Sequence, residues 1–318
     1  MTAADTPHLL DLPPAALPDD VVARPLRAGD AAAVAALMAA QEQHDLGEVH
    51  VEEADIVADW QHPAFDVGRD TIGLEDPTGA LVAYAELGIG ERTDAAVHPD
   101  HRGRGLGSWL AQWLRTHGTA SGRERIGSPV PLDSAGDRLL TRLGYHERWR
   151  SWVLELPDGA TIPERPLPSG YTVGTAEPAE YAAVLDVVED AFLEWSRRER
   201  QTFAEFEATV LRRPGFAPWQ VRVVRDDAGA VVGVALLTLD PSVRVGYLSR
   251  LAVRADRRGR GLAQALMADA FATARAHGAV RSELSTDSRT GALPLYERMG
   301  MVVTSTWVHR AVWLRLPT

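Results

Sequence analysis

The chain has no cysteine among its 318 residues, which excludes disulfides, thiolate metal sites and a cysteine nucleophile. No apolar run approaches the roughly 18 residues needed to cross a membrane. Residues 1–10 also lack the basic stretch and apolar core of a secretory leader. These absences lead us to expect a cytoplasmic protein with no membrane partner. Positive charge is short as well: 33 Lys plus Arg stand against 44 Asp plus Glu, for a formal net charge of −11. Such a body repels nucleic acid and mildly favours cationic substrates. With 27 Gly, 20 Pro, 45% hydrophobic and 24% charged residues, the composition is that of a globular protein rather than a low-complexity one.

A chain of 318 residues exceeds the roughly 250–300 at which a single core stops growing, so two domains are expected. A repeat supports this. Residues 97–107 read Val-His-Pro-Asp-His-Arg-Gly-Arg-Gly-Leu-Gly and residues 253–263 read Val-Arg-Ala-Asp-Arg-Arg-Gly-Arg-Gly-Leu-Ala, identical at seven of eleven positions and offset by 258 − 102 = 156.

Residues 1–20 carry Pro7, Pro13, Pro14 and Pro18 among small and acidic residues and are read as a disordered or extended tail. Val21–Leu26 suggests a strand, Asp30 an N-cap for a helix to about Gln43, and Val51–Trp60 a second helix. Residues 71–75 and 80–87 flank the turn Asp76-Pro77-Thr78-Gly79 as a hairpin. After the glycine loop, Leu106, Trp109, Leu110, Trp113 and Leu114 form one apolar helical face, with both tryptophans read as packing residues. A strand near Ile126, a helix over Ser134–Leu143 and an extended run over Tyr145–Leu156 close the half. Residues 157–170 hold four prolines and two glycines without periodicity, a linker. The expected domains are therefore 21–156 and 171–318. The second half repeats the order at an offset of 150, which becomes 156 after about residues 240–246, so the hairpin before its loop is longer. Strand, helix, helix, three strands, loop, helix, strand, helix, strand predicts an α/β fold, a mixed and mostly antiparallel sheet flanked by helices in each half.

A helix start exposes backbone N–H groups with partial positive charge, and glycines there let an anion approach. Arg102, Gly103, Arg104, Gly105, Leu106 and Gly107, and likewise Arg258, Gly259, Arg260, Gly261, Leu262 and Ala263, therefore suit a pyrophosphate. Neither copy has the lysine of a P-loop, and Ser108 and Gln264 stand where a dinucleotide fingerprint requires glycine. What remains resembles the acetyl-CoA pyrophosphate loop of GNAT acetyltransferases. Residues 287–292 (Asp-Ser-Arg-Thr-Gly-Ala) and 295–301 (Leu-Tyr-Glu-Arg-Met-Gly-Met) resemble that family's Leu-Tyr-Glu segment, with Ser288 in place of a frequent Asn. The resemblance covers both halves, so the chain is similar to a tandem GNAT N-acetyltransferase.

The resemblance implies direct transfer of acetyl from acetyl-CoA, as co-substrate and without a metal, to a primary amine of a small molecule. Leu251 is the expected backbone oxyanion contact, Leu251, Ala252 and Val253 hold the pantetheine arm, and Tyr296 is the expected general acid and a CoA neighbour. Asp287 and Glu194 are candidate general bases. Leu140 stands opposite Tyr296, so the N-terminal half is expected to have lost turnover, with Val97 and Arg102–Gly107 as a second candidate CoA site. His98, Asp100 and His101 are read as loop polarity rather than metal ligands. Two other readings stay open: a CoA-binding or sensing protein without turnover, and a protein or peptide N-acetyltransferase. Monomer and homodimer are both compatible with the duplication.

Overall fold

The computed structural model describes residues 16–157, 159–163, 166–240 and 243–315. The chain forms two compact units, one of residues 1–150 with 306–318 and one of residues 151–305. Residues 1–15 of the expected tail lie outside the described residues.

In the N-terminal unit, β1 (Val22–Arg24), α1 (Ala31–Leu46), α2 (Glu53–Trp60), α3 (Val67–Asp70), β2 (Thr71–Glu75), β3 (Leu81–Glu86) and β4 (Asp94–Val97) precede the first glycine loop. α4 (Leu106–Ala120), β5 (Arg125–Pro131) and α5 (Ala135–Arg142) follow it. β1 to β4 form an antiparallel sheet in sequence order. The β2–β3 turn is set by chemistry: Asp76 Oδ1 accepts from Thr78 N and Ala80 N, and Gly79 takes φ +81°. Leu106, Leu110 and Leu114 pack α4 onto Leu74, Val82 and Ala85. Val34 and Leu37 of α1 pack with Trp60 and Tyr84 in a second cluster. The sheet thus has an apolar layer on each face.

β6 (His146–Glu155) carries the chain from the first unit into the second. There follow β7 (Thr172–Thr175), α6 (Tyr181–Phe192), α7 (Phe203–Phe206) with a π-turn over Glu207–Leu211, β8 (Val221–Arg225), β9 (Val231–Asp240) and β10 (Val245–Val253). The second glycine loop leads into α8 (Leu262–Ala276), β11 (Arg281–Asp287), α9 (Leu293–Arg298) and β12 (Val302–Trp313). Here β7, β8, β9 and β10 are antiparallel neighbours, and β11 adds in parallel to β10 after the α8 crossover. Leu262, Leu266, Met267, Ala270 and Phe271 are the buried stripe of α8. The extra residues of this half lengthen both β9 and β10. Ile162, in the expected linker, is buried in this unit's core.

The compact units differ from the expected halves in one respect. Residues 151–155 of β6 pair with β11 in the C-terminal unit, and residues 307–313 of β12 pair with β5 in the N-terminal unit. Each unit is completed by the other half's last strand. Arg310 on that strand reaches Asp137 of α5 at 2.7 Å, and Trp313 lies under Arg125. The sequence pattern shows strands but not their partners, so this exchange is not visible in it.

One further device is duplicated. Glu42 of α1 is buried and accepts from His50 N and Val51 N, and Glu189 of α6 is buried, accepts from Gln201 N and pairs bidentately with Arg198. In both units a buried carboxylate on the first long helix pins the segment that follows it. Burial raises the Glu42 carboxyl above the usual range, whereas at Glu189 burial is the largest single influence but is outweighed by the hydrogen bonds from Arg198 and Gln201 N together with the charges of Arg198 and Arg250, and the carboxyl is lowered.

Candidate active site

The two glycine loops have the same backbone. Gly103 and Gly105 take φ +78° and +85°, and Gly259 and Gly261 take +75° and +84°. A Cβ at Gly103, Gly105 or Gly259 would meet nothing within 4 Å, so glycine is required there by the left-handed conformation rather than by space. Gly105 and Gly261 are the N-caps of α4 and α8, with no side chain capping either helix. The first N–H groups of each helix are left for an external acceptor. Gly107 is different: a Cβ there would lie 2.7 Å from Leu139 Cδ2, so glycine lets α5 approach α4, whereas Ala263 occupies the corresponding place in the other unit.

The strand entering each loop has an open edge. β10 and β11 pair only over Val245–Leu248 and Arg281–Leu284, and beyond Leu248 a register shift leaves Ser249 as the extra residue, its Oγ donating to Leu236 O. Arg254 N donates to Val232 O of β9. Since N–H directions alternate along a strand, the N–H groups of Val253 and Leu251 face away from β9, toward the gap that opens beside β11. In the N-terminal unit β4 pairs with β3 in unbroken register, and a single bridge, Arg92 to Gly127, joins its approach to β5. The same alternation turns Val97 N to the gap, but there it donates to Gln41 Oε1 at 3.2 Å.

The loop arginines are braced by protein carboxylates. Arg258 binds Glu194 bidentately at 2.7 and 2.8 Å and donates through Nε to Val253 O. Arg102 makes the equivalent fork to Asp45 at 2.7 and 2.8 Å. Arg260 donates to Tyr171 Oη, and Arg104 to Asp20 and the His101 ring. The first arginine of each loop therefore fixes the loop to the segment around the end of the unit's first long helix. Repeated spacing reveals the arginines, but their partners lie about 60 residues away and leave no local signal.

Tyr296 sits on α9 in the same core cluster as Leu251, Leu284 and Met267, with 9% of its surface exposed. Its hydroxyl has no hydrogen-bond partner among the described residues. Burial, and then the nearby Tyr247, push it up to about 12, so it remains protonated at neutral pH. Tyr247 Oη, on the paired stretch of β10, donates to Ser285 Oγ at 2.8 Å just past the last paired residue of β11. Neither candidate base is unengaged. Asp287 is held bidentately by Arg289, which also lies over the Trp195 ring, and Glu194 is lowered by its hydrogen bonds from Arg258.

The N-terminal loop borders a chamber of about 420 Å³ between α4, β5 and α5, reached by Val97, Leu106, Ala111, Ser128 and Leu139. Leu140, at the position of Tyr296, also lines it, so no acid group stands there. Composition and periodicity gave no sign of this chamber. Next to β4, Glu86 is buried opposite Asp94 and accepts from Trp60 Nε1 at 2.9 Å, while Arg92 pairs with Asp94 at 2.7 Å. His98 meets His101 edge-on and accepts from Asp100 N. Among the described residues no group of three or more His, Asp or Glu is placed to hold a metal, and no helix is long and apolar enough to cross a membrane.

A helix-capping glycine loop beside a splayed strand, present twice on mixed α/β sheets, defines a CoA-type acyltransferase fold. The model of the acetyltransferase (GNAT) family matches residues 34–145 and 181–301, and the chain belongs to that family. A mycothiol acetyltransferase from Salinispora tropica is 33% identical over 244 residues, covering 73% of this chain and 78% of that protein. One from Streptomyces coelicolor is 29% identical over 82% of this chain and 92% of its own length. Among solved structures, a GCN5-related N-acetyltransferase from Sphaerobacter thermophilus superposes with TM-score 0.76 at 28% identity, covering 95% of this chain and 98% of that one. A tandem GNAT protein from the clavulanic acid biosynthesis pathway shares the fold at TM-score 0.71 and 18% identity, covering 94% and 100%.

Proposed function

We propose that the C-terminal unit transfers acetyl from acetyl-CoA to a primary amine of a small molecule, with Tyr296 as general acid. The observation that carries this reading is Tyr296 itself, protonated, its hydroxyl without a hydrogen-bond partner among the described residues and its ring packed with Leu251 beside the strand gap. The pyrophosphate lies on the N–H groups at Gly259–Ala263, and the thioester enters the gap along Leu251–Val253. The amine nitrogen bonds to the thioester carbon, Leu251 N–H stabilises the oxyanion, and the carbon–sulfur bond breaks as Tyr296 Oη gives its proton to sulfur. The proton shed by the amine leaves to water or buffer, because Asp287 and Glu194 are both bound by arginine.

The acceptor is a polar amine of metabolite size; the name carried by the curated relatives makes a mycothiol-type aminothiol the first compound to assay. The N-terminal unit, with Val97 and Arg102–Gly107 at its loop but Leu140 in place of tyrosine, binds CoA without turnover. The test is thiol release from acetyl-CoA by the full chain against a panel of small primary amines, with peptide N-termini alongside. Acetylated small amine is the expected product. Exclusive acetylation of the peptides would reassign the acceptor, and no thiol release with any acceptor would favour a CoA-binding protein without turnover.

A further inference from the structure

The two units differ inside the space between glycine-loop helix and parallel strand. At the constant offset of 156, Gly107, Ala111, Ser128 and Gly136 stand where the C-terminal unit has Ala263, Met267, Leu284 and Ala292. Met267 and Leu284 are core residues, 0% and 2% exposed, and fill that space in the C-terminal unit. In the N-terminal unit Ala111 and Ser128 stop short, and the chamber of about 420 Å³ opens between them. Leu114, opposite Ala270, runs the other way and bounds the chamber farther along α4.

The chamber has one unmet polar group. Tyr145 lines it, is 4% exposed, and its hydroxyl is buried without a hydrogen-bond partner among the described residues. Burial holds that hydroxyl well above the usual tyrosine range, so it keeps its proton and can donate. A buried donor of this kind is costly unless something accepts from it. Apart from it, Leu106, Leu110, Val130 and Leu139 give the chamber an apolar wall. A cavity of this size and lining is a small-molecule site; it takes in the loop and Val97 as well, so the room beyond them is the part beside Ala111 and Ser128 that Met267 and Leu284 occupy in the other unit.

We propose that the N-terminal unit holds, without turning it over, a CoA thioester whose acyl group is longer and more apolar than acetyl, lodged in the room left by Ala111 and Ser128 with Tyr145 Oη donating to the ligand. This rests on the reading that Gly103–Gly107 receives the CoA pyrophosphate. Leu140 supplies no proton to a leaving thiolate and Tyr145 Oη is committed to the acyl group rather than to sulfur, so the thioester stays intact. Gln41 releases Val97 N–H when the pantetheine arm enters the gap.

The test titrates the full chain with CoA, acetyl-CoA and octanoyl-CoA by calorimetry, in wild type and in Ala111→Met, Ser128→Leu and Gly105→Val. Wild type should take up one equivalent of octanoyl-CoA at least about tenfold more tightly than acetyl-CoA, the equivalent of about 1.4 kcal/mol. Ala111→Met should abolish that preference while CoA and acetyl-CoA affinities stay within about twofold. Ser128→Leu repeats the filling on a strand, so the conclusion does not depend on one variant's folding, which thermal melts monitor. Octanoyl-CoA binding no tighter than acetyl-CoA in wild type, or a preference that survives both filled variants, overturns the proposal. Failure of the underlying reading looks different: Gly105→Val would then leave the stoichiometry of every CoA form unchanged.

Discussion

Replacing Glu86 with Gln should remove a large pH dependence from the N-terminal unit. Burial, then the facing Asp94, push the Glu86 carboxyl from an ordinary 4.5 to about 8. A carboxyl whose folded pKa is raised binds more protons folded than unfolded. Its contribution is therefore fully present below pH about 4.5 and is lost as pH rises through about 8. Each pH unit between those limits is worth about 1.4 kcal/mol, which sets a ceiling of roughly 5 kcal/mol. Relaxation and water penetration around the buried carboxylate once it ionises reduce the expected change to about 2–3 kcal/mol. Glutamine keeps an acceptor for Trp60 Nε1 and carries no charge. Wild type and Glu86→Gln should therefore match at pH 5, with the variant more stable by about 2–3 kcal/mol at pH 9. Urea titrations at pH 5, 7 and 9, read by hydrogen exchange of peptides covering residues 81–86, measure the opening free energy of this unit. Parallel pH profiles for the two proteins would refute the assignment of a neutral buried Glu86.

Three further outcomes follow from the same contacts. Arg310→Met leaves Asp137 buried without its guanidinium, and should cost the N-terminal unit about 3–5 kcal/mol while exchange in residues 221–253 stays unchanged; equal loss in both would mean the exchanged strand is not what stabilises unit one. Glu194→Gln frees Arg258, so KM for acetyl-CoA should rise a few-fold with kcat nearly constant, whereas loss of a general base would lower kcat by about 10²-fold or more. Gly107→Ala places a methyl 2.7 Å from Leu139 Cδ2 and should cost about 1–2 kcal/mol in a urea titration, since a leucine side chain yields more readily than backbone.

Much of the fold is legible in the sequence because it is written in local chemistry. The Asp76 turn, the stripes Leu106–Leu114 and Leu262–Ala270 and the paired glycines each need only neighbouring residues to be recognised. Asp30 does stand at the start of α1, but its carboxylate accepts from Arg24 and Arg27 N rather than from the helix's own N–H groups; Trp109 and Trp113 do pack against the core, Trp113 stacked on His117. What escapes is set by contacts between distant segments. The exchange of last strands depends on which edge β6 and β12 find. The bracing of Arg102 and Arg258 by Asp45 and Glu194 joins residues far apart in the chain. The chamber arises beside the small side chains Ala111 and Ser128, which no periodicity marks, and the buried Glu86–Asp94 pair breaks the expectation that carboxylates lie on the surface. α3 and the π-turn after α7 are too short to carry a pattern.

The central claim, that the C-terminal unit performs acetyl transfer with Tyr296 as its acid, is tested most directly by Tyr296→Phe. The variant keeps the ring that packs in the core and removes only the hydroxyl. Thiol release with the best amine of the panel should fall by about 10²- to 10⁴-fold in kcat, with acetyl-CoA affinity unchanged. Thiol release equal to wild type would contradict the account.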